Sequence, residues 1–318
     1  MTKEALKEYY ENDIYPYLDE VQKEQENILR KKTRLKMVLF GLFLLYVIPL
    51  WGTIFDDGLV ILLFLPLIIF VPFSFLGKMI MEGDFRKTYK SKVIEPLMLA
   101  LGENIYYESL KGISRDDVNH ANMFETFNTY NCDDYIKGDF SGVTLEFSEA
   151  HVHYEVSSRS YKSVKKILDG FIFKVDLEID QIKGFCIVPD KAQKILGDKL
   201  GGLLQKVNLK RDGVIHLEDA SFEKVFAVYS DDKESVRRFL SIEICQYLVF
   251  MKEKLDVNIY MAIRDTKLYI ALDVGKETFF EPNYYVPLRE HTEPMDLIER
   301  IDEVTTLIKM LKLEAKKS

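Results

Sequence analysis

Residues 170–180 read Gly-Phe-Ile-Phe-Lys-Val-Asp-Leu-Glu-Ile-Asp, the clearest alternation in the chain. Successive side chains of a strand point to opposite faces. Phe171, Phe173, Val175, Leu177 and Ile179 share one face, and Lys174, Asp176, Glu178 and Asp180 the other. That is a strand with one buried face. Outward from it, Gly142–Phe147 and Glu149–Val156 read as strands around a turn. Gly184–Val188 is a strand stopped by Pro189-Asp190, and a helix containing glycines follows to about Gln205. Lys224–Tyr229 is a further strand, and Val257–Ile263 and Lys267–Asp273 form a hairpin around Arg264-Asp265-Thr266.

The helices carry their own signals. Ser114-Arg115-Asp116-Asp117 opens a short helix to about Phe127 with a capping-box-like start. Asp231–Lys254 is helical, with Val236, Leu240, Ile244, Tyr247, Met251 and Leu255 as its apolar stripe, Asp231 as N-cap and Glu234 at the reciprocal position. Pro294–Lys316 is a helix in which Leu297, Ile301, Val304, Ile308 and Leu311 follow a heptad pattern; fewer than four heptads favour packing onto the chain's own domain over pairing between molecules. Strands and helices without strict βαβ alternation define an α+β fold.

The N-terminal part differs in kind. Met37–Phe55 and Leu59–Gly77 are each 19 residues without a charge, separated by Asp56-Asp57-Gly58. A helix needs about 20 apolar residues to cross a bilayer core, so the pair reads as a transmembrane helical hairpin. Arg30, Lys31, Lys32, Arg34 and Lys36 precede it, and Lys78, Arg86, Lys87, Lys90 and Lys92 follow. Basic flanks stay cytoplasmic, which places both termini inside the plasma (inner) membrane and the acidic turn outside. Spans without ionisable residues suit an anchor better than a transport path. Leu18, Val21, Gln25, Ile28, Lys32 and Leu35 extend a helix from about Tyr17 into the first span, with Pro16 as its start residue. Phe85–Leu101 is a helix stopped by Gly102, and the two make a helical stalk if they pair. The expected organisation is an N-terminal cytoplasmic helix (1–36), the membrane hairpin (37–77), stalk and connecting helices (78–130), a cytoplasmic α+β domain (131–290) and a C-terminal helix (291–318).

Composition narrows the function classes. With 47% hydrophobic and 30% charged residues, the chain is neither collagen-like nor wholly disordered. The net charge of −8 and the lack of a basic stripe in the C-terminal part argue against nucleic-acid binding. Cys132, Cys186 and Cys245, without a CxxC, give no disulfide framework or zinc ribbon and fit a reducing compartment.

Several motifs together resemble a known family. Ile113-Ser114, Met123-Phe124, Asp134-Tyr135, Gly138 and Phe147-Ser148-Glu149 resemble its first half. Gly170–Phe173, Gly184-Phe185, Val188-Pro189-Asp190 and the stretch from Leu217-Glu218 through Phe222–Phe226 to Val228–Asp232 resemble its core, and Phe280-Glu281-Pro282 its closing motif. The family is a bacterial two-transmembrane domain of unknown function, often encoded beside LemA-type membrane proteins. The resemblance implies a LemA-type protein as a partner and carries over no catalytic residue.

Reactive motifs are sparse. Gly197-Asp198-Lys199-Leu200-Gly201-Gly202 precedes Leu203-Leu204, so it lacks the Lys-Ser/Thr ending of a phosphate-binding loop. Glu149-Ala150-His151-Val152-His153-Tyr154-Glu155 is the best constellation. On a strand Glu149, His151, His153 and Glu155 share a face, with the two histidines about 7 Å apart. They read as the solvent face of a half-buried strand; ligating a metal would need a third ligand and outer support. The neighbours Asp133-Asp134 and Asp231-Asp232 diverge on regular structure and do not form acid–base couples. The expectation is a membrane-anchored, cytoplasm-facing binding or scaffold module, without catalytic residue, metal or cofactor, in contact with the bilayer, a LemA-type protein or further copies of itself. The alternatives are a membrane-surface enzyme such as a metal-assisted hydrolase, with His151, His153 and Glu149 as its candidate residues, and a homo-oligomeric pore component.

Overall fold

The computed structural model describes residues 8–57, 83, 85–157, 162–179, 182–190, 213–230, 232–275, 280–281, 286–288 and 293–316. The chain forms two compact units. One takes in Met98–Phe280 and Glu293–Ser318, the other Glu4–Leu97 and Glu281–Thr292.

The second unit is helical. A π-helical turn, Tyr10–Ile14, leads into the long helix α1 (Tyr15–Asp57). Another π turn, Lys90–Ile94, leads into α2 (Glu95–Leu101). Each π turn ends two residues before a proline, Pro16 or Pro96. A widened turn there accommodates a residue that has no N–H and whose ring crowds the preceding turn. Helix α1 therefore continues from an earlier helical segment, where the sequence placed Pro16 at a helix start. Ile14, Leu18, Val21 and Gln25 of the first segment are buried, as are Phe85, Tyr89, Val93 and Leu97 of the second. Lys92 pairs with Glu20 at 2.8 Å, and the Gln25 side chain donates to the Val286 carbonyl at 3.1 Å. Beyond this packed stripe, Met37, Val38, Phe40, Leu42, Leu44 and Leu45 are exposed. Among the described residues, no helix is long and apolar enough to cross a membrane. The side chains of residues 47–57 and all of the expected second span, Leu59–Gly77, lie outside the described residues.

Among the described residues, the first unit is built on one nine-stranded antiparallel sheet. In chain order its elements are β1 (Glu103–Glu108), helix α3 (Arg115–Ala121), β2 (Thr129–Phe140), β3 (Val143–Ser157), β4 (Lys162–Asp176), β5 (Ile182–Pro189) and β6 (Val214–Ile215). The short helix α4 (Ala220–Glu223), β7 (Phe226–Tyr229), helices α5 (Lys233–Phe239) and α6 (Ile242–Leu255), β8 (Asn258–Asp265), β9 (Lys267–Asp273) and helix α7 (Glu293–Lys316) follow. The strand order is β1-β2-β3-β4-β9-β8-β5-β7-β6. The α+β class and the C-terminal helix stand as expected.

Several local expectations change. The two strands read around Ser148 are one, β3, because Ser148 is fully buried and its hydroxyl accepts the Ile113 N–H at 3.0 Å. The helix expected over Asp231–Lys254 is two, divided where the Ser241 hydroxyl caps α6 by accepting the Ile244 N–H. At the start of α5 the carboxylate that accepts the Glu234 N–H, at 3.0 Å, is that of Asp232; Asp231 lies outside the described residues. Helix α3 ends at Ala121, ahead of the expected Phe127, because Asn122 adopts the left-handed conformation (φ 48°) that closes a helix. The glycine-containing segment after Asp190 lies outside the described residues.

Both faces of the central strands are covered. On one side Ala150, Val152, Leu168, Ile172, Cys186, Val188 and Ala262 pack with Val118, Ala121 and Met123 from α3 and the loop after it. On the other, Phe147 stacks on Phe173 with ring centroids 5.0 Å apart, Phe171 meets Phe280 edge-on at 5.8 Å, and Phe185 packs against Phe239 of α5. Helix α7 buries Leu297, Ile301, Val304, Ile308 and Leu311, packs against α5 and α6, and accepts the Arg238 guanidinium at its Ala315 carbonyl, 3.0 Å away. The heptad stripe thus serves the chain's own core.

Candidate functional site

The candidate site grows out of the pairing of β3 with β2 and β4. Ala150 and Val152 face the core around α3, so Glu149, His151 and His153 face the other way, as alternation requires. His151 lies opposite Asp169 of β4 on one side and Asn131 of β2 on the other. The register between β3 and β4 then slips: Val152 pairs with Leu168 but His153 with Lys166, leaving Ile167 as an extra residue. Such a bulge re-aims neighbouring side chains. Here it turns both histidines toward one carboxylate.

Asp169 is that carboxylate, and only 1% of the residue is exposed. Its Oδ1 lies 2.9 Å from His151 Nδ1 and 2.7 Å from His153 Nε2, and its Oδ2 lies 3.2 Å from Lys166 Nζ. Burial by itself would raise the Asp169 pKa; the hydrogen bonds from His151, His153 and Lys166 outweigh it and hold the carboxyl below its usual range. The backbone fixes the position. The Asp169 N–H donates to Asp273 Oδ1 at 3.2 Å, and its carbonyl accepts from Val274 and Gly275, both at 3.0 Å. A Cβ on the adjacent Gly170 would stand 2.1 Å from the Leu272 carbonyl oxygen, so glycine is what lets β9 close against β4 beside Asp169.

The histidine side chains are 17% and 15% exposed. They are therefore half-buried partners of an acid, where the sequence placed them on a solvent face. The third ligand-type side chain that the His-x-His pattern lacked is Asp169, with Lys166 beside it. Neither was legible in β3, since they stand on the next strand and meet the histidines only through its register and bulge.

A carboxylate group adjoins the histidines. Asp133, Asp134 and Glu149 bring one oxygen each to within 4.8 Å of one another. On a regular strand Asp133 and Asp134 would diverge; a bulge in β2 after Asp133, with Asp134 at φ 51°, brings them together. Asp134 accepts the Tyr107 hydroxyl at 2.5 Å. Glu149 accepts the Phe280 N–H at 3.2 Å, and its Oε1 lies 3.6 Å from His151 Nε2. A cleft of about 230 Å³ lined by Val118, Asn119, Asn122, Phe124, Glu125, Thr126 and Phe127 contains neither histidine.

Residues 166–313 match a family model described as a protein of unknown function (DUF3137). A domain of unknown function thus spans β4 to α7; it includes Lys166 and Asp169 and begins after His151 and His153. No curated protein matches the chain. Among solved structures, the crystal structure of the mycobacterial trehalose monomycolate transport factor A, TtfA, aligns with 71% of this chain and 93% of its own at 9% identity and a TM-score of 0.32.

Proposed function

We propose that the chain is a membrane-anchored, cytoplasm-facing protein-binding or scaffold module. One observation carries the anchor. Helix α1 runs unbroken from a packed half, where Leu18 and Val21 are buried, into a segment where Phe40 and Leu45 are 62% and 71% exposed. A helix segment apolar all round needs a cover of protein or lipid. The uncharged run continues to Phe55, a second follows from Leu59 to Gly77, and basic residues flank both, so a lipid cover with both termini inside fits best. For the binding role, β1 supports the reading: it ends the sheet among the described residues, and Tyr106 on it is 51% exposed. An edge strand can take up an extended segment of a partner. A LemA-type membrane protein, or a second copy of the chain, is the partner this reading names.

The test uses the full-length protein in its native membrane. It should remain in the pellet after alkaline carbonate washing. A cysteine at Gly58 should react with an impermeant maleimide in intact cells, while Cys132 should stay unlabelled until the cells are opened. Recovery in the soluble fraction would remove the anchor, and labelling of Cys132 from outside would reverse the orientation. Detergent purification should then recover a LemA-type protein or a defined oligomer in near-stoichiometric amount. A lone monomer would overturn the binding role.

A further inference from the structure

We propose that His151, His153 and Asp169 form a binding site for one divalent ion of the zinc type, with Glu149 orienting His151 from outside. The donor set comes first. Two imidazoles and one carboxylate are the ligands of three-residue zinc sites that keep a position open, and they suit borderline divalent ions better than magnesium or calcium.

The geometry is close to what binding requires. Two ligands on a tetrahedral zinc, each about 2.0–2.1 Å from the ion, stand roughly 3.3 Å apart. His151 Nδ1 and His153 Nε2 approach Asp169 Oδ1 at 2.9 and 2.7 Å, and all three ligand atoms lie within 4.8 Å of one another. An outward shift of a few tenths of an ångström at each ligand admits an ion, and side-chain rotation supplies that.

The outer groups have the form such sites use. A metal-bound histidine commonly directs its second ring nitrogen to a carboxylate or carbonyl, which fixes the ring and its tautomer. His151 would bind through Nδ1, and its Nε2 already lies 3.6 Å from Glu149 Oε1. Glu149 is itself 2% exposed and held by the Phe280 N–H. His153 and Asp169 stand on two adjacent strands inside the sheet, so the ligands ride on rigid elements rather than on a loop. The positive group now on Asp169 is Lys166, 3.2 Å from its Oδ2, with the lysine side chain 49% exposed. The ion would take its place.

Lys166 makes the proposal testable by sign. The full-length protein, stripped with a chelator and returned to chelator-free buffer, is titrated with Zn²⁺ by calorimetry and with Co²⁺ by visible absorption. One ion per chain should bind with Kd below about 10 μM, and Co²⁺ should give the intense d–d bands of a four-coordinate site. The double variant His151→Gln/His153→Gln should lose at least about a hundredfold in affinity. His216→Gln, at an exposed histidine elsewhere, should change nothing. Lys166→Met removes the competing cation and should tighten binding roughly two- to fivefold. Absence of binding at 100-fold that concentration, equal binding by the double variant with its fold intact, or weaker binding by Lys166→Met would overturn the proposal. The lysine variant keeps the test decisive even if the histidine pair cannot be changed without unfolding.

Discussion

Lys174 lies on β4 between Asp117 at 2.9 Å and Glu146 at 3.1 Å, with its side chain 15% exposed. The alternation around Phe171 assigned it correctly to the face opposite the phenylalanines. It could not show that α3 covers this face too, because the covering residues come from a helix more than fifty positions earlier. Three substitutions at two adjacent residues follow. Phe173→Asp puts a charge among fully buried rings and should cost several kcal/mol of a total near 5–15. Lys174→Asp, innocuous on a solvent face, should also destabilise, by about 3 kcal/mol, since it places a third carboxylate beside Asp117 and Glu146. Lys174→Met should cost less than Lys174→Asp. Urea unfolding of the three variants decides: a silent Lys174→Asp would mean that the network is not formed in solution. The same logic explains the site. His151 and His153 announced themselves by spacing, while Asp169, the residue that joins them, had no sequence signal beyond its place before Gly170.

At the level of elements, apolar period was the dependable guide. Strands β4, β5, β8 and β9 and helices α6 and α7 were legible because each presents a stripe that must be buried. What failed was punctuation. Ser148 read as a turn residue but serves as a buried hydrogen-bond acceptor inside β3. Ser241 was read as part of a helix but caps one. Serine hydroxyls satisfy backbone groups in either setting, so the residue type does not say which. Strands β1 and β2 were not read as strands at all, since bulges at Glu103–Tyr106 and Asp133–Ile136 break their alternation. Helix α7 offers the test of an element. Tyr247 and Lys254 of α6 both bond Glu303 of α7, and Ile308 is fully buried within its own chain. Ile308→Asp should therefore lower the unfolding midpoint at every protein concentration. A variant with unchanged stability but a smaller oligomer would assign the heptads to an intermolecular coil instead.

For the molecule as a whole, pH is the informative variable. Burial raises the Asp117 pKa, but hydrogen bonds with Ser114 and Lys174 more than offset this and depress it. Asp139 is depressed by hydrogen bonds from Thr144 and Asn104, and Asp219 by those from Ser221 and the Phe222 backbone. A carboxyl whose folded pKa lies below its unfolded value stabilises the fold above the unfolded value and loses that contribution as pH falls through the folded one. Stability should hold level above roughly pH 5 and fall progressively below about pH 4. Asp117→Asn should flatten part of that acid slope, as read from urea midpoints at a series of pH values. A slope unchanged by Asp117→Asn would place the acid sensitivity elsewhere. The fold class and the C-terminal helix were open to sequence reading at this scale. The strand order was not, because it depends on which edges meet, and alternation describes faces only.

That order has a consequence for synthesis. Strands β1 to β4 form a meander, but β4 takes its next neighbour from β9, and β5 joins the sheet through β8. The β8–β9 hairpin is a late insert between two parts already made. A growing chain must therefore keep the open edge of β4, with Phe171 and Phe173 on it, until residues as far as Asp273 have left the ribosome. The last cover, α7, arrives later still. Long-range pairing of this kind slows folding and leaves sticky edges waiting. Nascent chains cut short before Asn258 would carry two unpaired edges, at β4 and β5, each a row of open backbone hydrogen-bonding groups that another chain can pair with.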